Sequence, residues 1–533
     1  MDDWWRGAVI YQVYPRSFQD TNGDGVGDLP GITQRLDHIA SLGVDAVWIS
    51  PFFKSPQADF GYDVEDYRAV DPLFGTLADF DRLRDRAHEL GLKVMIDMVL
   101  SHTSNRHAWF VESRASRDNP KADWYVFADW KGDGTPPNNW LSIFGGVAWE
   151  WEPRRSQYYL HNFLAAQPDL DIHNPEVVQA LLGEVEFWLE RGVDGLRLDA
   201  IDFAMHDPEL KDNPPRGDAP VPRGLRAQTP YARQIHVNSK NHPAIPEQLL
   251  KPLRTLAARH GVVLLGELSG EGQLERMASF TRGDDLLHFA YSFELLHTPL
   301  AAGALRELME ELEAGIEDGW PCWSFGNHDV ERAVSRYGDG PPSPALARLL
   351  PALLGSLRGS ICLYQGEELG LPEAELAFED LRDPPGIAFW PEHKGRDGCR
   401  TPIPWSADSA HGGFSTAKPW LPMPAGHRAL AVDRQEADPA STLHAVRRFL
   451  HWRKGQPALR LGTKRFVDAP EPILALVREH GGDALLCAFN LGPEPASFSP
   501  GMAAAPLDGH GFTSKVNAGK IELQGYGAFF GRL

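Results

Sequence analysis

Four acidic residues stand at or near the ends of short apolar runs in this chain. They are Asp97 in Lys-Val-Met-Ile-Asp-Met-Val, Asp199 in Gly-Leu-Arg-Leu-Asp, Glu267 in Val-Val-Leu-Leu-Gly-Glu and Asp329 in Asn-His-Asp. His102 and His328 lie close by in sequence, and Arg197 precedes Asp199 by two residues, which puts both on one face of a strand. A single acid after a strand is as easily a helix cap or a surface group. Capping does not explain an arginine on the face of Asp199, nor an imidazole adjoining Asp329. Carboxyls gathered with Arg and His suit cleavage of a glycosidic bond, in which one acid stays protonated while its neighbour is ionised.

A second acidic group, Asp-Thr-Asn-Gly-Asp-Gly-Val-Gly-Asp at 20–28, has the spacing of a calcium loop. Asp20, Asn22 and Asp24 take its first, third and fifth positions, the Val26 carbonyl the seventh and Asp28 the ninth, with Gly25 at the tight turn. The twelfth position is Gly31 where an EF-hand needs a bidentate Glu, and the preceding run, 7–15, reads as a buried strand rather than a helix. The expectation is a divalent cation, Ca²⁺ with Mg²⁺ as the alternative, pinning a loop after a strand. The competing reading is a solvated Asn-Gly/Asp-Gly turn.

The elements that must position these groups follow from the apolar runs. Eight runs read as buried strands: 8–13, 45–50, 93–99, 195–199, 262–267, 286–291, 322–325 and 360–364. Amphipathic stretches at 33–42, 77–90, 177–191 and 302–317 read as helices between them. Strand then helix, repeated eight times, predicts an α/β fold, a (β/α)8 TIM barrel, whose chemistry gathers at the C-terminal strand ends. Two connections are too long for ordinary loops. Residues 103–170, with six of the sixteen tryptophans, are expected to form an inserted subdomain after the third strand, and 206–245 a flap after the fourth. The barrel is thus expected over 1–102 and 171–454. From 455 to 533 the helical period gives way to strand-like pieces, an antiparallel β domain.

Composition narrows the partners. With 73 acidic and 52 basic residues the net charge is −21, which argues against nucleic acid or an anionic membrane surface and for a neutral or cationic small molecule. No apolar run approaches the ~20 residues of a membrane span, and Met-Asp-Asp-Trp-Trp-Arg lacks a signal pattern, so a cytoplasmic location is the default expectation. Cys322, Cys362, Cys399 and Cys487 lie far apart with no CxxC, which fits reduced core thiols.

Asp-Met-Val-Leu-Ser-His (97–102), Gly-Leu-Arg-Leu-Asp-Ala (195–200), Gly-Glu-Leu (266–268) and Asn-His-Asp (327–329) resemble, in order and spacing, the four sequence blocks of the α-amylase superfamily, glycoside hydrolase family 13. Gln-Pro-Asp-Leu-Asp (167–171), Asp-Phe-Gly-Tyr-Asp-Val (59–64) and Gly-Arg-Asp-Gly-Cys-Arg-Thr-Pro (395–402) resemble its exo-acting α-glucosidase and oligo-1,6-glucosidase branch. That branch binds calcium in the loop after the first barrel strand. The resemblance implies Asp199 as nucleophile, Arg197 holding it ionised, Glu267 as general acid and base, and Asp329 with His102 and His328 on the sugar hydroxyls. It further implies Asp97 orienting Arg197, Tyr62 stacking on the terminal ring, and Asp59 with Arg400 closing that subsite, so that single glucose units leave the non-reducing end of short maltose-like substrates.

Ser101 stands where Asn is usual before the histidine, and Val330-Glu331 where Gln-Pro or Asn-Pro is frequent; neither removes a catalytic group. Ala200 is small where Val tends to accompany α-1,6 cleavage, which favours α-1,4. The alternatives are oligo-1,6-glucosidase, sucrose hydrolase, a sucrose or maltose isomerase or a transglucosylase on the same covalent intermediate, and a catalytically silent interaction module.

Overall fold

The computed structural model describes residues 3–225, 227, 229–338 and 340–533. Eight parallel strands form one sheet: β1 (Val9–Val13), β2 (Ala46–Ile49), β3 (Lys93–Val99), β4 (Gly195–Asp199), β5 (Val263–Leu268), β6 (Phe289–Ser292), β7 (Cys322–Trp323) and β8 (Ser360–Tyr364). Their spatial order is β6-β5-β4-β3-β2-β1-β8-β7, and a parallel bridge from Ala290 to Pro321 closes the ends into a barrel. The strands are buried almost throughout because helices cover their outer faces, which is why they read as unbroken apolar runs. The sixth strand begins at Phe289, three residues later than the apolar run suggests.

The two-residue period of a strand builds the site. Ile10, Ala46, Trp48, Met95, Val263, Leu265, Phe289, Cys322 and Cys362 point inward and plug the lower barrel. Two residues further along the same strands stand Gln12 above Ile10, Asp97 above Met95, Arg197 above Gly195, Glu267 above Leu265 and Tyr291 above Phe289. The polar cluster is therefore the next inward-facing layer on an apolar floor.

Around the barrel run α1 (Leu29–Ser41), α2 (Leu77–Glu89), α3 (Pro175–Glu190), α4 (Lys251–His260), α5 (Gln273–Thr281), α6 (Ala302–Ile316), α7 (Pro344–Leu354) and α8 (Thr442–Lys454). Helix α1 starts four residues before the apolar period does, because Asp28 accepts the Gly31 N–H and caps it. Thr76 and Asp79 form a capping box on α2, and Asn174, Ser343 and Ser441 cap α3, α7 and α8.

Between β3 and α3 lies a three-stranded antiparallel sheet of Phe127–Ala128, Trp149–Glu152 and Gln157–Leu160. Trp140 and Trp149 are buried in it, while Trp130 and Trp151 lie exposed against each other. After β4 the described residues form loop with short 3-10 turns at Ile201–Phe203 and Tyr231–Arg233 and a π-helical turn at Pro246–Leu250; Arg226 and Gln228, within the expected flap, lie outside the described residues. A five-stranded antiparallel sheet (Thr463–Val467, Ile473–His480, Asp483–Asn490, Ala505–Pro506, Ala528–Arg532) and a three-stranded one complete the chain. All four cysteines are free and buried, and among the described residues no helix is long and apolar enough to cross a membrane.

The C-terminal sheet is fastened to the barrel by a buried cation. Arg478 donates to the carbonyls of Ser356 and Leu357, each at 2.7 Å, in the turn before β8, and to those of Gly462 and Thr463 at 2.7 and 3.1 Å. Burial draws its guanidinium down to about 9, yet it still carries its charge at neutral pH. Replacing Arg478 with Met strips the donor from four carbonyls, so Arg478→Met is expected to cost at least ~3 kcal/mol and to lower the melting temperature in calorimetry. An unchanged melting temperature contradicts the clamp.

Candidate active site

Arg197, fully buried, is the hub of the polar layer. Its Nη1 donates to Asp199 Oδ1 at 2.5 Å and Asp97 Oδ1 at 2.8 Å, and its Nη2 meets Glu267 Oε2 at 2.6 Å. Tyr291 Oη accepts from Nη2 at 2.8 Å and donates to Glu267 Oε1 at 2.9 Å. The Ala200 N–H donates to Glu267 Oε2 at 2.9 Å, an aim set by the left-handed φ of 38° at Ala200 as β4 breaks into the turn Ile201–Phe203. Trp48 Nε1 and Tyr62 Oη complete the shell of Asp97, each at 3.2 Å.

Three carboxyls share one guanidinium in a site screened from water. Burial pushes Asp97 up to about 6 and Asp199 and Glu267 each to about 7, with Arg197 pulling all three back. One positive charge cannot offset three negative ones there, so the cluster retains a proton near neutrality. Asp329 behaves oppositely. Burial works against its charge, but His328, Arg396 and Arg400 outweigh it and hold the carboxyl below the ordinary range.

The histidines are neutral. Burial takes His102 down to about 4 and His328 to about 3. Gln12 Nε2 lies 2.8 Å from His328 Nδ1, which leaves Nε2–H to face Tyr62 Oη at 2.7 Å and Asp329 at 3.3 Å. The rings of Tyr62 and His328 lie parallel, 5.3 Å apart. His102 Nε2–H donates to the Tyr62 carbonyl at 3.1 Å, and Ser101 Oγ, in the position where Asn was the usual residue, reaches His102 Nδ1 at 3.0 Å.

These groups floor a cavity of about 290 Å³. Asp59, Tyr62, His102, Asp199, Glu267 and Asp329 line it directly. Arg197, His328 and Arg400 are 0%, 1% and 1% exposed and stand behind the lining. The expected pairing of Asp59 with Arg400 needs correction. Arg400 donates to Asp329 Oδ1 at 2.9 Å and to the His328 carbonyl at 2.7 Å. The guanidinium that meets Asp59 is Arg396, at 2.9 Å, which also reaches Asp383 at 2.7 Å and Asp329 at 3.2 Å. Arg396 caps the 3-10 turn Asp397–Arg400, so the two arginines of one motif leave it in different directions, one to the cavity and one behind it. Phe144, Phe163, Phe203, Phe293 and Phe389 make the rest of the wall largely apolar.

Besides Arg396, the sequence reading passed over Tyr291 and Gln167, whose amide donates to Asp59 at 3.2 Å. Tyr291 obeys the same strand-end rule that found the acids, and Gln167 opens a motif already singled out, Gln-Pro-Asp-Leu-Asp.

In the acidic loop, Asp20 Oδ1 accepts the N–H groups of Asn22 and Gly23 at 3.0 and 2.8 Å, and Oδ2 the N–H of Gly25 at 2.9 Å and the hydroxyl of Ser415 at 2.5 Å. Asp28, besides capping α1, binds Thr21. A Cβ at Gly25, at φ +90°, falls 2.2 Å from the Lys418 carbonyl, and one at Gly31 falls 2.0 Å from that of Gln19. Close packing of α1 therefore excludes a twelfth-position Glu. The donor set is all oxygen, the chemistry that Ca²⁺ or Mg²⁺ takes.

A model of the catalytic domain of α-amylase matches residues 12–462. The chain belongs to the α-amylase family. Within this family, a probable α-glucosidase of Rhizobium meliloti (strain 1021) is 56% identical, over all of this chain and 97% of the relative. The oligo-1,6-glucosidase of Parageobacillus thermoglucosidasius is 34% identical over 93% of this chain and 92% of its own length. Among solved structures, the α-glucosyl transfer enzyme XgtA is 59% identical with a TM-score of 0.97, and the trehalulose synthase MutB of Pseudomonas mesoacidophila MX-45 is 33% identical with a TM-score of 0.89, each covering 99% of both chains. The chain is thus a family 13 glycoside hydrolase of the α-glucosidase type, in the α-glucosidase and oligo-1,6-glucosidase branch.

The acid cluster ties stability to pH. Folded Glu267 titrates near 7 against 4.5 in an unfolded chain, so its stabilising contribution is complete below 4.5 and is lost as the pH rises through 7. Glu267→Gln removes that loss. Its melting temperature is expected to exceed that of the parent above pH 7, by the equivalent of ~3 kcal/mol, and to converge with it towards pH 4.5. A constant gap across that range refutes the raised carboxyl.

Proposed function

We propose that the enzyme is a retaining α-glucosidase that releases glucose from the non-reducing end of short α-glucosides, with α-1,4 links preferred, by double displacement. The observation that carries this reading is the sharing of Arg197 by Asp199 and Glu267. Two carboxyls gripping the terminal nitrogens of one guanidinium, at 2.5 and 2.6 Å, are held close together, which suits the ~5–5.5 Å of a retaining pair.

In this mechanism Asp199 attacks the anomeric carbon while Glu267 protonates the departing glycosidic oxygen. Glu267 is the proton donor: burial pushes its carboxyl up, and the charges of Asp199 and Asp329 push it further. Arg197, at 2.5 Å, draws Asp199 towards its ionised form against the effect of burial. Glu267, now a base, then takes a proton from water, whose oxygen displaces Asp199 and regenerates the carboxylate. Asp329, held charged by two arginines, binds ring hydroxyls and favours the oxocarbenium-like transition state, with His102 and Tyr62 on the same sugar. Asp59 and Arg396 close the pocket beyond the terminal ring, which supports exo action.

Transfer to a sugar hydroxyl in place of water is a second outcome of the same intermediate. The apolar wall and the likeness to a glucosyl transfer enzyme favour it. The small Ala200 beside Glu267 supports the α-1,4 preference.

Proton NMR of maltose turnover tests the mechanism. Glucose from the non-reducing end should appear first as the α anomer, and Asp199→Ala should be silent; β-glucose first, or an active Asp199→Ala, overturns it. Isomaltose consumed faster than maltose overturns the linkage preference alone.

Asp20, Asn22, Asp24, the Val26 carbonyl and Asp28 would hold Ca²⁺, or Mg²⁺ in its place, which would screen the loop's acids and tie it to α1. Because the loop also closes on its own N–H donors, chelation should remove the metal and lower the melting temperature by a few degrees without unfolding the barrel. A chelated protein unchanged in metal content and melting temperature rules the ion out.

A further inference from the structure

Outside the cavity, three metal-ligating side chains converge where the chain leaves the inserted sheet and where it leaves β4. Ligand atoms of Asp171, His173 and His206 all lie within 4.8 Å of one another. Ligands around one tetrahedral Zn²⁺, each ~2.0–2.1 Å from the metal, sit about 3.4 Å apart, so a small adjustment of side chains closes the set. Among the described residues this is the one such group of His, Cys, Asp and Glu.

The surroundings suit ligation. His173 Nε2–H donates to the His206 carbonyl at 2.8 Å, which fixes its tautomer and leaves the Nδ1 lone pair free to bind. A ring N–H on a backbone carbonyl is the usual outer support of a metal-bound imidazole. His206 is 6% exposed, and its ring forms no hydrogen bond among the described residues, packing against Trp140 and His173. Asp171 Oδ1 accepts the His173 N–H at 3.1 Å, leaving Oδ2 as the donor. A further imidazole, His242, lies 5.0 Å from His173, centre to centre.

We propose that Asp171, His173 and His206 form a second metal site, separate from the acidic loop, that takes a borderline dication of the Zn²⁺ class. Two imidazoles and one carboxylate favour such an ion over Ca²⁺, whose ligands are oxygens. The site joins three segments: the exit of the insert at 171–173, the turn after β4 and, through the His242 N–H on the Met205 carbonyl, the end of the loop whose Arg223, Leu225 and Tyr231 roof the cavity. A bound ion stiffens the base of that roof.

The test is calorimetric titration of ZnCl₂ into the full chain after chelation, with Ca²⁺ present in excess to occupy the acidic loop. One Zn²⁺ per chain is expected, and Co²⁺ in its place should give the visible absorption of a low-symmetry nitrogen and oxygen site. His206→Gln and Asp171→Asn should each weaken Zn²⁺ binding by at least about tenfold, while Asp24→Asn, in the acidic loop, leaves it unchanged. Metal-free circular dichroism checks that each variant is folded, and the two variants stand in for each other if one is not. Absence of saturable Zn²⁺ binding, or wild-type affinity in a folded His206→Gln or Asp171→Asn, overturns the proposal.

Discussion

One guanidinium, that of Arg197, sets the terms for the rest of the barrel interior. A buried charge has to be paired and fully hydrogen-bonded, and Arg197 meets that demand with Asp97, Asp199, Glu267 and Tyr291, contributed by four adjacent strands. The strand period places Asp97, Glu267 and Tyr291 one inward step above an apolar residue, and Asp199 one step above Arg197 itself. The apolar plug below keeps water from the cluster, so the carboxyls compete for a single counter-charge in a low dielectric. The raised carboxyls follow from that competition.

Charge in the cavity is distributed by position. Deep in the barrel, acids outnumber bases and a proton is retained; at the closed end Arg396 and Arg400 outweigh Asp329 and keep it ionised. Burial raises every carboxyl in both regions; at Asp329 the neighbouring His328, Arg396 and Arg400 overcome it, whereas Asp59, beside the same two arginines, is still pushed up to about 6. The other side of the cavity is lined mainly by aromatic rings, and a sugar bound there exchanges water for them.

The barrel was legible because its strands are covered on both faces and its helices on one, which leaves two distinct periods in the sequence. Seven of the eight strand runs coincide with the observed strands to within about two residues, and the largest shift, at β6, arises where the run 286–288 precedes the strand without joining it. The catalytic acids were legible from strand ends and from motif resemblance together. What escaped was direction. Nothing in Gly-Arg-Asp-Gly-Cys-Arg states which arginine faces the cavity, since the intervening 3-10 turn decides it. Asp28 was read as an ion ligand and also serves as a helix cap, two roles that share one residue type and one position. Asp171, His173 and His206 were silent because a histidine from beyond β4 meets the other two only after folding.

The fastening of the C-terminal sheet bears on how such chains can recombine. Arg478 belongs to the sheet, but two of its acceptors, the Ser356 and Leu357 carbonyls, belong to the barrel, and Arg453 of α8 likewise donates to the carbonyls of Gly355 and Gly7. The junction therefore has donors on one side and the acceptors they need on the other, all in the dry interior. A crossover between two family members anywhere from about residue 365 to 450 separates these halves, and the hybrid works only if the other parent presents the same carbonyls in the same turn. The terminal sheet is inherited with the barrel as one unit rather than exchanged as a cassette.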